Sequence, residues 1–160
     1  MAEGVAPRRL EGFKKAISAH PEIRIVATED AKWDTAASER IAGQLFARFA
    51  AQGGLDAVYA MADNMAHGVI LAAKAASIPL GLGANELVVV SSNCMKFGVD
   101  HIRSGEQYST ATQMPVRAGA AAVATVADFL QGKPVEKKNY LEMAAITKDN
   151  LAEYADACTY

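Results

Sequence analysis

Asp63 and Asn64 stand where a short apolar run, Ala57-Val58-Tyr59, gives way to the helical pattern of residues 69–76. Polar side chains and unpaired N–H groups at such a strand-to-helix junction converge on the crevice where α/β sheets hold ligands. Comparable residues mark the other junctions. Arg9 opens the first helical run, and its guanidinium fork suits paired oxygens. Trp33, the only tryptophan, follows the apolar run 23–27, where its ring can stack on the apolar face of a sugar ring. Ser91-Ser92-Asn93-Cys94 ends the most strand-like run of the chain, and Gln113 precedes Pro115 after the next one. Taken singly, each has an ordinary explanation: a solvated arginine, a loop anchor, turn chemistry. Their shared position at the C-terminal ends of successive strands does not, because that edge is the ligand edge of an open α/β sheet.

No reactive constellation accompanies these residues. Serine, histidine and carboxylate are not spaced as a triad, and no Gly-x-Ser-x-Gly elbow occurs. No Gly-x-Gly-x-x-Gly follows the first strand, and Gly81-Leu82-Gly83 precedes a strand, the wrong context for a phosphate cradle. His20, His67 and His101 are dispersed, so neither a metal site nor a cofactor is expected. Hydrogen-bonding groups and an aromatic, without nucleophile or metal, favour binding over catalysis.

The elements that must position them alternate. Helical spacing covers residues 8–19, 35–52 (Ile41, Leu45 and Phe49 on one stripe), 64–76, 97–103, 116–130 and 148–157, the last with Thr147 as N-cap. Strand character covers 23–27, 55–61, 87–91 and 108–112, and residues 135–146 read as extended. The unbroken apolar run at 87–90 suits a strand covered on both faces. Repeated βα units of this length predict a flavodoxin-like, doubly wound parallel α/β sheet. Asp34 or Thr35 reads as the N-cap of the second helix.

With 160 residues, about half of them apolar, one ordinary core is the expectation. A net charge of -2 without a basic stripe argues against nucleic acid, and no run is long and apolar enough to span a membrane. The first residues show no charged start followed by an apolar run, so no signal peptide is visible. Cys94 and Cys158 read as small buried thiols, a bridge between them being left open.

In order and spacing, the chain resembles the ribose-binding-like group of sugar-binding proteins from bacterial ABC importers, which have the type I periplasmic-binding fold. The resemblance is carried by Arg9-x-x-Gly12-Phe13, Asp63-x-Met65-Ala66-x-Gly68, Val88-Val89-Val90 with its polar end, and Gly105 before Thr110-Ala111-Thr112-Gln113-x-Pro115. Gly119, Leu130-x-Gly132-Lys133-Pro134-Val135 and Ile146-Thr147-x-x-Asn150 continue it. It implies a receptor that closes on a small carbohydrate or polyol and delivers it to a membrane permease. It places family ligand positions on Arg9, Trp33, Ala62, Asn93 and Gln113. Ala62 stands where ribose binders carry asparagine and Asn93 where they carry aspartate, which argues for a different pentose, a polyol or a related small carbohydrate rather than ribose. Asp63 belongs with the ligand set by position but suits fixing the helix start, and Asn64 suits a supporting place behind it.

The resemblance covers only the carboxyl-terminal half of such a receptor. Residues 1–115 correspond to an incomplete carboxyl-terminal lobe, and 116–160 to a crossover helix, extended segment and final helix. The lobe's first strand, central in the order 2-1-3-4-5, is missing or supplied by another segment or chain. Its absence predicts a gap between 23–27 and 55–61, and a homo-oligomer that closes it by exchange of a strand or helix. The resemblance implies a periplasmic location, whereas a truncated reading frame without a leader implies a cytoplasmic one. Two other readings are the effector-binding domain of a sugar-responsive repressor, which lacks its DNA-binding headpiece here, and a non-binding, self-associating fragment.

Overall fold

In the computed structural model, residues 4–158 are described. Helix α1 (Val5–Ile17) lies at the surface and buries only Ala6. Helix α2 (Thr35–Phe49) begins where the Asp34 carboxylate accepts a bond from the Ala37 N–H at 2.7 Å, satisfying a donor the first turn leaves open. It ends through a 3₁₀ turn at Ala50–Gln52, and Gly53 takes the left-handed conformation (φ 97°) that stops it. Its buried stripe is Ser38, Ala42, Phe46 and Phe49; Ile41 and Leu45 lie at the margin rather than on the stripe as expected.

Helix α3 (Asp63–Ala75) packs closely on α2. Gly68 makes this possible. A Cβ there would meet the Thr35 carbonyl, come within 2.9 Å of the Glu39 N and within 3.0 Å of the Ser38 Cβ. Strand β1 (Ala57–Tyr59) pairs parallel with β2 (Val88–Val90), Val58 opposite Val89. Ala42, Phe46, Val69, Ile70, Leu87 and Val89 form the core between these strands and α2–α3.

The parallel ladder continues beyond β2. Tyr108 N donates to Val89 O (2.8 Å), Ser91 N to Ser109 O (2.9 Å) and Asn93 N to Ala111 O (3.0 Å), which seats β3 (Thr110–Ala111) beside the end of β2. Strand β4 (Ala145–Ile146) closes antiparallel on β3. Helix α4 (Lys96–Ser104) stops at Gly105 (φ 81°), and helix α5 (Pro115–Leu130) starts on its proline. Helix α6 (Leu151–Tyr154) runs into a 3₁₀ turn at Ala155–Cys158. A second core joins Val99 and Ile102 of α4 to Ile146, Leu151, Ala155 and the cystine Cys94–Cys158. The final segment is therefore stitched to the sheet expected for residues 1–115.

Three expectations are corrected. The cysteines are not free thiols: they form a fully buried disulfide. Asn150, not Thr147, is the N-cap of the last helix; the Thr147 N–H instead donates to the Asn150 side chain at 2.9 Å. Residues 23–27 do not form a strand. They are extended, with Ile23, Ile25 and Val26 exposed by 47%, 40% and 53%, and residues 24–27 show no backbone bond within the described residues. β-Character needs a neighbouring strand to pair with, and among the described residues none lies between 23–27 and β1. β1 bears the same mark: its residues are exposed or half-buried, unlike the buried Val89 of β2.

Candidate functional site

Arg9 reaches from α1 over the C-terminal rim of the sheet. Its guanidinium donates to the Met61 carbonyl just beyond β1, to Asn93 Oδ1 (2.6 Å) beyond β2, and to Gln113 Oε1 (2.9 Å) beyond β3. It also lies 5.9 Å from the Trp33 ring centroid, within cation–π range. One cation thus ties four chain segments at a single rim, as the strand-end positions implied.

The loops that present these groups are held in uncommon backbone. Lys32 and Trp33 (φ 54° and 61°) and Asn93 and Cys94 (φ 104° and 60°) all occupy positive-φ conformations. Such conformations persist only where surrounding contacts fix them. Before Trp33, the Asp30 carboxylate accepts from Lys32 N (3.0 Å) and Nζ (2.9 Å), and the lysine hydrogen bond holds Asp30 down to about 2. Behind it, Asn64 Nδ2 donates to the Trp33 carbonyl at 2.9 Å. Cys94 anchors the other loop through the cystine.

Ala62 and Asp63 are not brought to the rim. Ala62 is 1% exposed, and Asp63 is fully buried. The Asp63 carboxylate accepts bonds from Ser91 Oγ, Met95 N (2.7 Å) and Gln107 Nε2 (3.1 Å), so it locks the β2–α4 connection to the start of α3. A carboxylate with three donors inside the fold has its hydrogen-bonding capacity committed there.

Two features were missed at the sequence level. The Met61 carbonyl carries no side-chain signal at all. Phe13, stacked on Tyr59 with ring centroids 5.0 Å apart, did carry one: it lies four residues after Arg9, on the same face of α1. Tyr59 in turn lies 3.3 Å, hydroxyl to hydroxyl, from Ser92. The rim therefore gathers a charged fork, two side-chain amides and a carbonyl, bonded to one another, beside an indole 40% exposed. That set can grip a polyhydroxylated ring by hydrogen bonding and stacking.

The fold and rim define one lobe of a type I periplasmic-binding architecture. Residues 3–134 match the family model described as "Periplasmic binding protein domain", and the chain belongs to that family. It is similar to the ribose import binding protein RbsB of Haemophilus influenzae, 30% identical over 143 residues, covering 89% of this chain and 45% of that protein. It is also similar to the xylitol-binding protein of Mycolicibacterium smegmatis, 25% identical over 89% of this chain and 39% of that protein. Among solved structures, an ABC transporter periplasmic solute-binding protein from Actinobacillus succinogenes with bound D-allose superposes with a TM-score of 0.82. The identity is 22%, covering 95% of this chain and 52% of that one. The chain spans about half the length of the curated relatives it matches.

Proposed function

We propose that this chain binds a small carbohydrate or polyol as half of a solute receptor for an ABC import system, with Arg9, Trp33, Asn93 and Gln113 forming one wall of the cleft. The observation that carries this reading is the convergence of those four side chains on one rim. The ligands named for relatives, ribose and xylitol, share the vicinal hydroxyls that a guanidinium fork and amides recognise. Residues 1–115 supply the wall and 116–160 brace it. The membrane permease is the partner that would receive the solute.

A second wall is needed. Ligand sites of this kind bury about 70–90% of the ligand, and a single rim buries far less. We expect the chain alone to bind sugar with a Kd of about 1 mM or weaker. Its open sheet edges favour work alongside a second copy. The buried cystine supports an oxidising compartment such as the periplasm over the cytoplasm.

Trp33 provides its own probe. Titrating its emission with pentoses, hexoses and polyols should give a weak, saturable change that Arg9→Ala abolishes. No change with any of them would reject the reading. Micromolar affinity would reject the half-site.

A further inference from the structure

Helix α1 buries only Ala6, and none of its residues belongs to either core. The backbone bonds at its end, Ser18 N to Lys14 O and His20 N to Ile17 O, close its own last turn. Yet this thinly seated helix carries Arg9, whose guanidinium has to meet acceptors beyond three different strands. Arginine loses much rotamer freedom in such a fixed pose. Its head reaches that point only if the helix beneath it sits in one place.

Phe13 supplies a seat. One turn after Arg9 and on the same face of α1, its ring stacks on Tyr59, with centroids 5.0 Å and planes 23° apart. Tyr59 closes β1, two residues before the Met61 carbonyl that accepts from Arg9. The Tyr59 hydroxyl lies 3.3 Å from Oγ of the buried Ser92. Ser92 adjoins Asn93, whose Oδ1 also accepts from Arg9. The path Phe13–Tyr59–Ser92 thus joins α1 to the same two strand ends that Arg9 bridges. Stacked rings prefer particular offsets, so this contact sets the helix's orientation as well as its distance.

We infer that Phe13 is a positioning residue for the proposed sugar site: its stack on Tyr59 seats α1 so that the Arg9 guanidinium spans the rim beside Trp33. A guanidinium placed in advance has less freedom to lose when a ligand arrives. This deepens the function proposed above and rests on it for the occupant of the site; the seating of Arg9 is independent of it.

Acrylamide quenching of Trp33 in the sugar-free full chain reads that seating, because the indole is 40% exposed and Arg9 lies 5.9 Å from its centroid. Arg9→Ala sets the scale by uncovering the ring. Phe13→Ala should give at least half of that rise in quenching, and Tyr59→Leu, which removes the other ring, should match it. Phe13→Tyr, which keeps a ring, should restore the parent value. In an Arg9→Ala background, Phe13→Ala should add nothing, since it acts through Arg9. The cooperative urea transition should survive in every variant, because neither Phe13 nor Tyr59 joins a core. Quenching unmoved by Arg9→Ala, or by both Phe13→Ala and Tyr59→Leu, overturns the proposal. So does a further rise in the double variant, or a Phe13→Tyr chain that stays at the alanine value. An equal rise from Ile17→Ala, half-buried one turn further along the same face, also overturns it, since any loss of packing under α1 would then suffice. Sugar enters none of these readouts. If they hold while no sugar alters Trp33 emission, the function proposed above fails and the seating of Arg9 stands.

Discussion

Asp63 shows how one residue type can satisfy two readings until its surroundings are known. An aspartate at a strand-to-helix junction serves a ligand or serves the fold, and burial assigns this one to the fold. Asp63→Ala would strand the Ser91, Met95 and Gln107 donors and should cost about 3 kcal/mol in urea unfolding. A second residue-scale cluster tests linkage to pH. His67 Nδ1 and His101 Nε2 are 2.8 Å apart, His101 Nδ1 lies 2.8 Å from Glu106, and Lys74 reaches the same carboxylate at 2.5 Å. Burial, then the neighbouring His101 and Lys74, hold His67 below the usual 6.5, against the pull of Glu39 and Glu106. Burial raises Glu106, but hydrogen bonds from Lys74, His101 and Ser104 outweigh it and bring the group to about 2. Both groups bind fewer protons folded than unfolded, so stability rises with pH across each window. Urea midpoints should be flat above about pH 6.5, fall below it as His67 resists protonation, and fall again below about pH 4.5 toward 2. His67→Gln should remove the upper step, and Glu106→Gln should shrink the lower one, which Asp30 and Asp100 share.

At the level of elements, glycines separate close packing from open surface. Gly68 is pressed against α2 backbone, so Gly68→Ala should cost at least about 2 kcal/mol in chemical denaturation. Gly12 in α1 has nothing within 4 Å of its would-be Cβ, so Gly12→Ala should stabilise by about 0.5–1 kcal/mol. The helices were legible because the 3.6-residue period and caps such as Asp34 and Pro115 are local. Strand 87–91 was legible because its apolar run is unbroken. Residues 23–27 carry an equally plain strand pattern and still form no strand, since pairing depends on a neighbour that no local pattern reports. The rim residues could be read from their place at strand ends, but the Met61 carbonyl and the inward turn of Asp63 exist only once the chain is folded.

Across the whole molecule, the cystine joins segments 64 residues apart in sequence and shuts the second core. Closing a loop of that length is worth about 4 kcal/mol in the chain-entropy account. Cys158→Ser should therefore lower the urea midpoint strongly. It should also loosen Asn93, the neighbour of Cys94, and so weaken the sugar-dependent change at Trp33 beyond the parent. The partition of apolar surface has the same global character. Residues 116–130 read from sequence as a helix left without its usual partner, and among the described residues none of its positions is buried.

The extended stretch Ile23-Arg24-Ile25-Val26-Ala27 has a further consequence for handling the protein. Three β-branched residues in the open, with no backbone bond at 24–27 among the described residues, form a template onto which identical stretches can stack into fibrils. Arg24 is the single charge that interrupts the stretch, and it acts as a gatekeeper against stacking. Arg24→Val should leave the monomer's circular dichroism unchanged yet shorten the lag before thioflavin-positive aggregates appear on storage.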